Sequence, residues 1–210
     1  MVPEPSVVPA PRGASLADAS TLLLNATTAR LSLDALGLAP GTTIAIVGGT
    51  GAVGGYAIQL ANADGLRVLA DAAPGDEELV RSLGADVVVE RGREVASQIR
   101  HELPDGVIGL IDSAALDALV LPAVGDGGGL ATLKGWTGPS ERGITIHSIS
   151  SFGSATDTAL FERLRKQVEE GVLTLRVADV LPAVMAAQAH RRLAAGGIRG
   201  RLVLDFSQSL

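Results

Sequence analysis

The sequence predicts an α/β protein with a doubly wound, parallel six-stranded sheet, and three observations carry that prediction. Short apolar, β-branched runs recur along the chain with helix-like segments between most of them, an alternation that parallel strands joined by crossovers satisfy. The first of these runs passes into five glycines within eight positions, Gly48 to Gly55, and leaves them in the helical pattern "YAIQLA". In a chain of 210 residues, 47% are hydrophobic, enough for a well-buried core.

Taken in order, residues 1–13 are proline-rich and read as a linker or extended crossover. Ala14 to Gly37 carries leucines at helical spacing and ends in "GLAPG", which stops a helix and turns the chain. The predicted strands are Thr43 to Val47, Arg67 to Ala70, Asp86 to Val89, Val107 to Ile111, Leu130 to Leu133 and Ile144 to Ile149, in the order 3-2-1-4-5-6. The sixth is then an edge. It has no lysine, proline or acid to blunt pairing, so a homodimer through residues 144–149 is expected.

Composition excludes several classes. No apolar run approaches the ~20 residues that cross a bilayer, and the first residues lack the basic start and apolar run of a signal peptide, so a cytoplasmic protein without membrane contact is expected. With no cysteine and three scattered histidines, His101, His147 and His190, no metal site is expected. The net charge of −6, with no basic cluster, argues against nucleic acid. Hydrolase chemistry has no foothold, because neither a cysteine nor a G-x-S-x-G elbow is present.

The glycine cluster carries the chemistry. Gly49, Thr50, Gly51, Ala52, Val53 and Gly54 fit G-x-G-x-x-G directly between a predicted strand and a predicted helix. In that setting the first glycine permits the turn, the second lets backbone approach a pyrophosphate, and the third lets helix and strand pack closely. The helix N-terminus then offers free N–H groups to the anion. Asp71, at the end of the second strand, stands where an acid bonds the ribose hydroxyls of NAD, and the turn after it holds acids but no cation. Local charge therefore points to NAD.

These residues resemble the medium-chain dehydrogenase/reductases, and within them the zinc-independent, quinone oxidoreductase-like branch. "VGGTGAVGGYAIQLA" is similar to that branch's strand, glycine loop and helix, with Gly48, Gly51 and Gly54 at its three spaced glycines. "LRVLADAAPGDEELVRSLGADVVVE", "DGVIGLIDSAA", "GGGLATLKGW" and "AQAHRRLAAGGIRGRLVLDF" resemble later segments in the right order. The resemblance implies a Rossmann domain over 14–173, followed by a helix and strand, 174–210, that in relatives pack on an N-terminal GroES-like lobe. It implies that this lobe is missing here. The implied activity is hydride transfer between NAD(P)H and a small quinone- or enone-like substrate. Alternatives are a non-catalytic dinucleotide-binding module or fragment, and an enoyl reductase domain of a polyketide-type multienzyme. The branch commonly uses NADP with a basic or hydroxyl residue after the second strand, where this chain has Ala72, Ala73 and Pro74. It also pairs the sixth strand with its two-fold mate.

Other candidates each keep a plainer alternative. Lys134, after the fifth strand, is a cation near the expected nicotinamide, or a solvated loop lysine. Asp112 and Ser113 end the fourth strand on the ligand-binding edge, or cap the next segment. Thr28 matches a position that in relatives lies near the nicotinamide. His190 reads as a surface or packing residue, Tyr56 as core, and Trp136 as a possible pocket wall.

Overall fold

The computed structural model describes residues 3–139 and 141–207, so the outermost residues of the predicted first and last segments lie outside it. Six strands, β1 (Thr43–Val47), β2 (Arg67–Ala72), β3 (Val87–Glu90), β4 (Val107–Asp112), β5 (Val124–Thr132) and β6 (Thr145–Ser148), form one sheet. Every pairing is parallel and the order is β3-β2-β1-β4-β5-β6, as the alternation predicts. Successive side chains of a strand point to opposite faces. Ile44 and Ile46 accordingly enter one core with Val68, Ala70 and Ile111, while Ala45 and Val47 enter the other with Leu69 and Leu110.

The predicted first helix is two helices, α1 (Leu16–Ser20) and α2 (Leu23–Leu36). Thr21 breaks it: its hydroxyl donates to the carbonyl of Asp18 at 2.7 Å and takes up an acceptor at the end of α1. Gly37 then closes α2 in the left-handed conformation, φ 58°. The crossovers of the sheet are α3 (Ala52–Ala63), α4 (Glu77–Ser82) and α5 (Val95–Glu102). Strand β5 begins six residues before its predicted start, and the three glycines Gly127 to Gly129 are the reason. Glycines read as a turn, yet Gly129 is in the strand because Leu36 of α2 lies against it, and a Cβ there would stand 2.7 Å from Leu36 Cδ2.

Beyond β6 the chain forms α6 (Thr158–Glu169), then β7 (Val177–Pro182), α7 (Ala186–Ala195) and β8 (Arg201–Asp205). Strands β7 and β8 pair in parallel as a separate two-stranded sheet. The segment read as one helix and one strand thus holds a second strand. Half-exposed and ending in proline, β7 has too weak an apolar pattern to be seen in sequence. The leading segment lies along α6, where Arg12 pairs with Glu169 at 3.0 Å and Thr158 donates to the carbonyl of Pro5 at 2.8 Å. Among the described residues no helix is long and apolar enough to cross a membrane.

Candidate functional site

Strand β1 delivers the chain to Gly48, whose φ of +87° turns it over the carboxyl edge of the sheet. Gly51 caps α3 in extended conformation without a side-chain cap. An inventory of the loop's N–H groups shows what it can bind. Those of Gly48 and Gly49 donate to Asp71 Oδ1 at 2.6 and 3.0 Å, and that of Gly51 donates to the carbonyl of Gly48 at 2.9 Å. The N–H groups of Thr50, Ala52, Val53 and Gly54 have no acceptor among the described residues, and three of them belong to the first turn of α3. Unpaired donors at a helix start, on a loop that the neighbouring glycines leave open, fit an anion such as a pyrophosphate.

Two residues predicted to bind the cofactor, Asp71 and Ser113, brace this loop from below, and a third, Asp112, holds the turn beside it. Asp71 is 1% exposed; its second oxygen receives Arg91 Nε at 3.1 Å, and Arg91 Nη2 also reaches Thr50 Oγ1 at 2.9 Å. The acid assigned to the ribose is therefore committed to the loop and covered by a guanidinium. Ser113 Oγ donates to the carbonyl of Val47 at 2.7 Å, under Gly48 and Gly54. Asp112, fully buried, accepts from the N–H groups of Ala114 and Asp117 at 3.1 and 2.7 Å, and burial pushes its carboxyl pKa up. Its work is to hold the turn where Ala115 and Asp117 adopt φ values of 56° and 53°. Capping, the plainer of its two readings, is the role this geometry gives it.

Lys134 is exposed past the end of β5. Trp136 folds back beside it, its carbonyl accepting from Thr132 Oγ1 at 3.0 Å. Tyr56 is core, 4% exposed, with burial raising its pKa. Thr28 spends its hydroxyl on the carbonyl of Leu24 within α2, and His190 is exposed on α7. Neither joins the loop. Among the described residues no cluster of three or more histidine, aspartate or glutamate side chains could hold a metal ion.

The fold also brings in three arginines that the motif did not include. Arg91 follows β3, which lies beside β2 in this strand order, so its position was legible once the sheet was drawn. Arg199 reaches from the C-terminal segment to Asp76, with Nε at 2.5 Å from Oδ1. Arg176, from the same segment, donates to the carbonyls of Thr50 and Gly51 at 2.6 and 3.1 Å. No local pattern marks the last two, which lie more than 120 residues from their partners.

A 3-2-1-4-5-6 parallel sheet with a glycine loop at its first crossover defines a Rossmann-type α/β domain. Residues 83–204 match the family model described as zinc-binding dehydrogenase, and the chain belongs to that family, within the medium-chain dehydrogenase/reductases. It is 33% identical over 140 residues to 2-methylene-furan-3-one reductase of Solanum lycopersicum, covering 66% of this chain and 35% of the relative. It is 38% identical over 139 residues to trans-enoyl reductase himH of Aspergillus japonicus, covering 60% and 41%. A solved NAD-dependent alcohol dehydrogenase superposes with a TM-score of 0.84 at 27% identity, over 98% of this chain and 63% of that one. The matches thus span 35% and 41% of these curated relatives' length.

Proposed function

We propose that this chain is the coenzyme-binding part of a zinc-independent oxidoreductase that moves a hydride between NADPH and a quinone- or enone-like substrate. The observation that carries the reading is the set of unpaired N–H groups at the start of α3, on a loop braced from below by Asp71 and Ser113. The names of the two curated relatives, a methylene-furanone reductase and an enoyl reductase, support an electron-poor alkene as the acceptor. When bound, the dinucleotide supplies the hydride. The chain's own residues bind and orient: Thr50, Ala52, Val53 and Gly54 face the diphosphate, and Lys134 is the candidate cation on the nicotinamide side. Because the matches span well under half of the curated relatives, a binding module that depends on a further lobe for catalysis is the second reading.

Local charge, read in sequence, favoured NAD; the folded arrangement supports NADP. Asp71 is 1% exposed beneath Arg91, whose side chain is 38% exposed, so a ligand at this edge meets a cation first. Arg199 stands across the turn that follows β2. Calorimetric titration of the whole chain tests both levels: NADPH is expected to bind at micromolar concentration and more tightly than NADH. Failure of both to bind refutes the dinucleotide reading. Arg91→Met is expected to weaken NADPH about tenfold to a hundredfold, as loss of a charge-assisted contact does, and to strengthen NADH by uncovering Asp71. An unchanged preference would remove Arg91 from the adenosine site.

We also propose a homodimer through β6, which pairs only with β5 among the described residues and leaves its other edge open. Ile146→Pro removes one ladder donor and crowds the partner strand, so light scattering should report a shift from dimer to monomer. A monomeric unmodified chain refutes this assembly.

A further inference from the structure

We propose that Arg176 is a positioning residue of the dinucleotide site, holding the glycine loop in register and supplying positive charge that only a bound anion neutralises. The inference rests on the loop being that site. Nη2 of Arg176 donates to the carbonyls of Thr50 and Gly51 at 2.6 and 3.1 Å. In a planar trans peptide the C=O and N–H point in opposite directions, so holding both oxygens on one side directs the N–H groups of Gly51 and Ala52 to the other. The first completes the turn onto Gly48 and the second stays free. One side chain from the C-terminal segment therefore sets the orientation of the Ala52 N–H, one of the four unpaired donors, and of the Gly51 N–H that closes the turn.

The same guanidinium is electrostatically unbalanced. Its Nη1 is buried and has no hydrogen-bond partner among the described residues, and Arg176 takes part in none of the ion pairs found there. Burial lowers its pKa, yet an arginine remains charged at neutral pH. It packs against the first turns of α3, close enough that a Cβ on Gly55 would stand 3.2 Å from Nη1. A helix N-terminus carries about half a positive charge, so like charges meet there in a half-buried setting. Arg201 lines the same narrow cleft, beside Tyr56 and Gln59. Such an arrangement costs stability in the free protein and favours a ligand with negative charge, as a diphosphate has.

The test compares Arg176→Met and Arg176→Lys with the unmodified chain in three measurements: NADPH titration, thermal unfolding, and amide hydrogen exchange at Gly51 and Gly55 without ligand. Arg176→Met is expected to bind NADPH at least about tenfold more weakly, the loss expected for a charged donor. Its melting temperature should hold or rise, and both amides should exchange faster. Arg176→Lys should regain part of the affinity through its charge, but not the exchange protection, because an ammonium lacks the planar fork. A purely structural arginine would lower affinity and melting temperature together, and that outcome overturns the proposal. So does NADPH affinity in Arg176→Met equal to that of the unmodified chain. If the unmodified chain binds neither NADPH nor NADH, the dinucleotide reading fails; unchanged exchange at Gly51 and Gly55 separately overturns the positioning role.

Discussion

Replacing Gly51 with valine is expected to lower dinucleotide affinity at least a hundredfold, on the order of 3 kcal/mol, while leaving the fold intact. The two halves of this expectation have separate grounds. Gly51 sits at φ −71° and ψ 173°, which a β-branched residue adopts without strain. A Cβ there meets only the carbonyl of Gly48, at 3.1 Å, a contact that a displacement of residue 51 by a few tenths of an ångström relieves without moving Gly48. The second glycine of the motif is, however, where backbone approaches the pyrophosphate, so added carbon displaces the ligand and not the protein. NADPH titration paired with thermal unfolding checks both, and unchanged affinity in a folded variant would move the dinucleotide elsewhere.

Three positions later the same kind of change has the opposite result. Gly54→Ala drives a Cβ into the carbonyl oxygen of Gly48, with the carbonyl carbon of Gly48 at 2.7 Å and Ser113 Oγ at 2.8 Å. None of these can yield: Gly48 is pinned by Asp71, and Ser113 is bonded to Val47. Alanine gains about 1 kcal/mol of helix propensity over glycine, but the overpacking costs about 3 kcal/mol or more at a site with no room to relax. A clear net loss of stability follows, read as a lower denaturant midpoint. A variant as stable as the unmodified chain would show that α3 does not need its close approach to β1.

The contrast between Gly51 and Gly54 marks how far the sequence reaches. Both fit one motif, and its context between strand and helix already assigns one to the ligand and the other to packing. Strand order is equally legible, since alternating runs leave few topologies for a parallel sheet, and β1, β4 and β6 fall within a residue or so of their predicted bounds. Apolar patterning is local, and local information survives in a linear string. Where pattern and packing disagree the string misleads, as with the glycines of β5, which are strand because α2 leans on them.

The polar site belongs to the other category. Asp71 carries the right charge at the right spacing for a ribose ligand, but its role depends on what covers it, and Arg91 lies 20 residues away. Arg176 meets the loop across 125 and 126 residues, and Arg199 meets Asp76 across 123. The sequence by itself determined the class of fold, the glycine loop and the helix that presents it, because these follow from periodicity and from backbone freedom at glycine. Only the tertiary structure decided which N–H groups stay unpaired, which carboxylate is spent beneath the loop and which guanidiniums surround it. The physical reason is that hydrogen bonds and charges act over a few ångströms of space, whatever the separation along the chain.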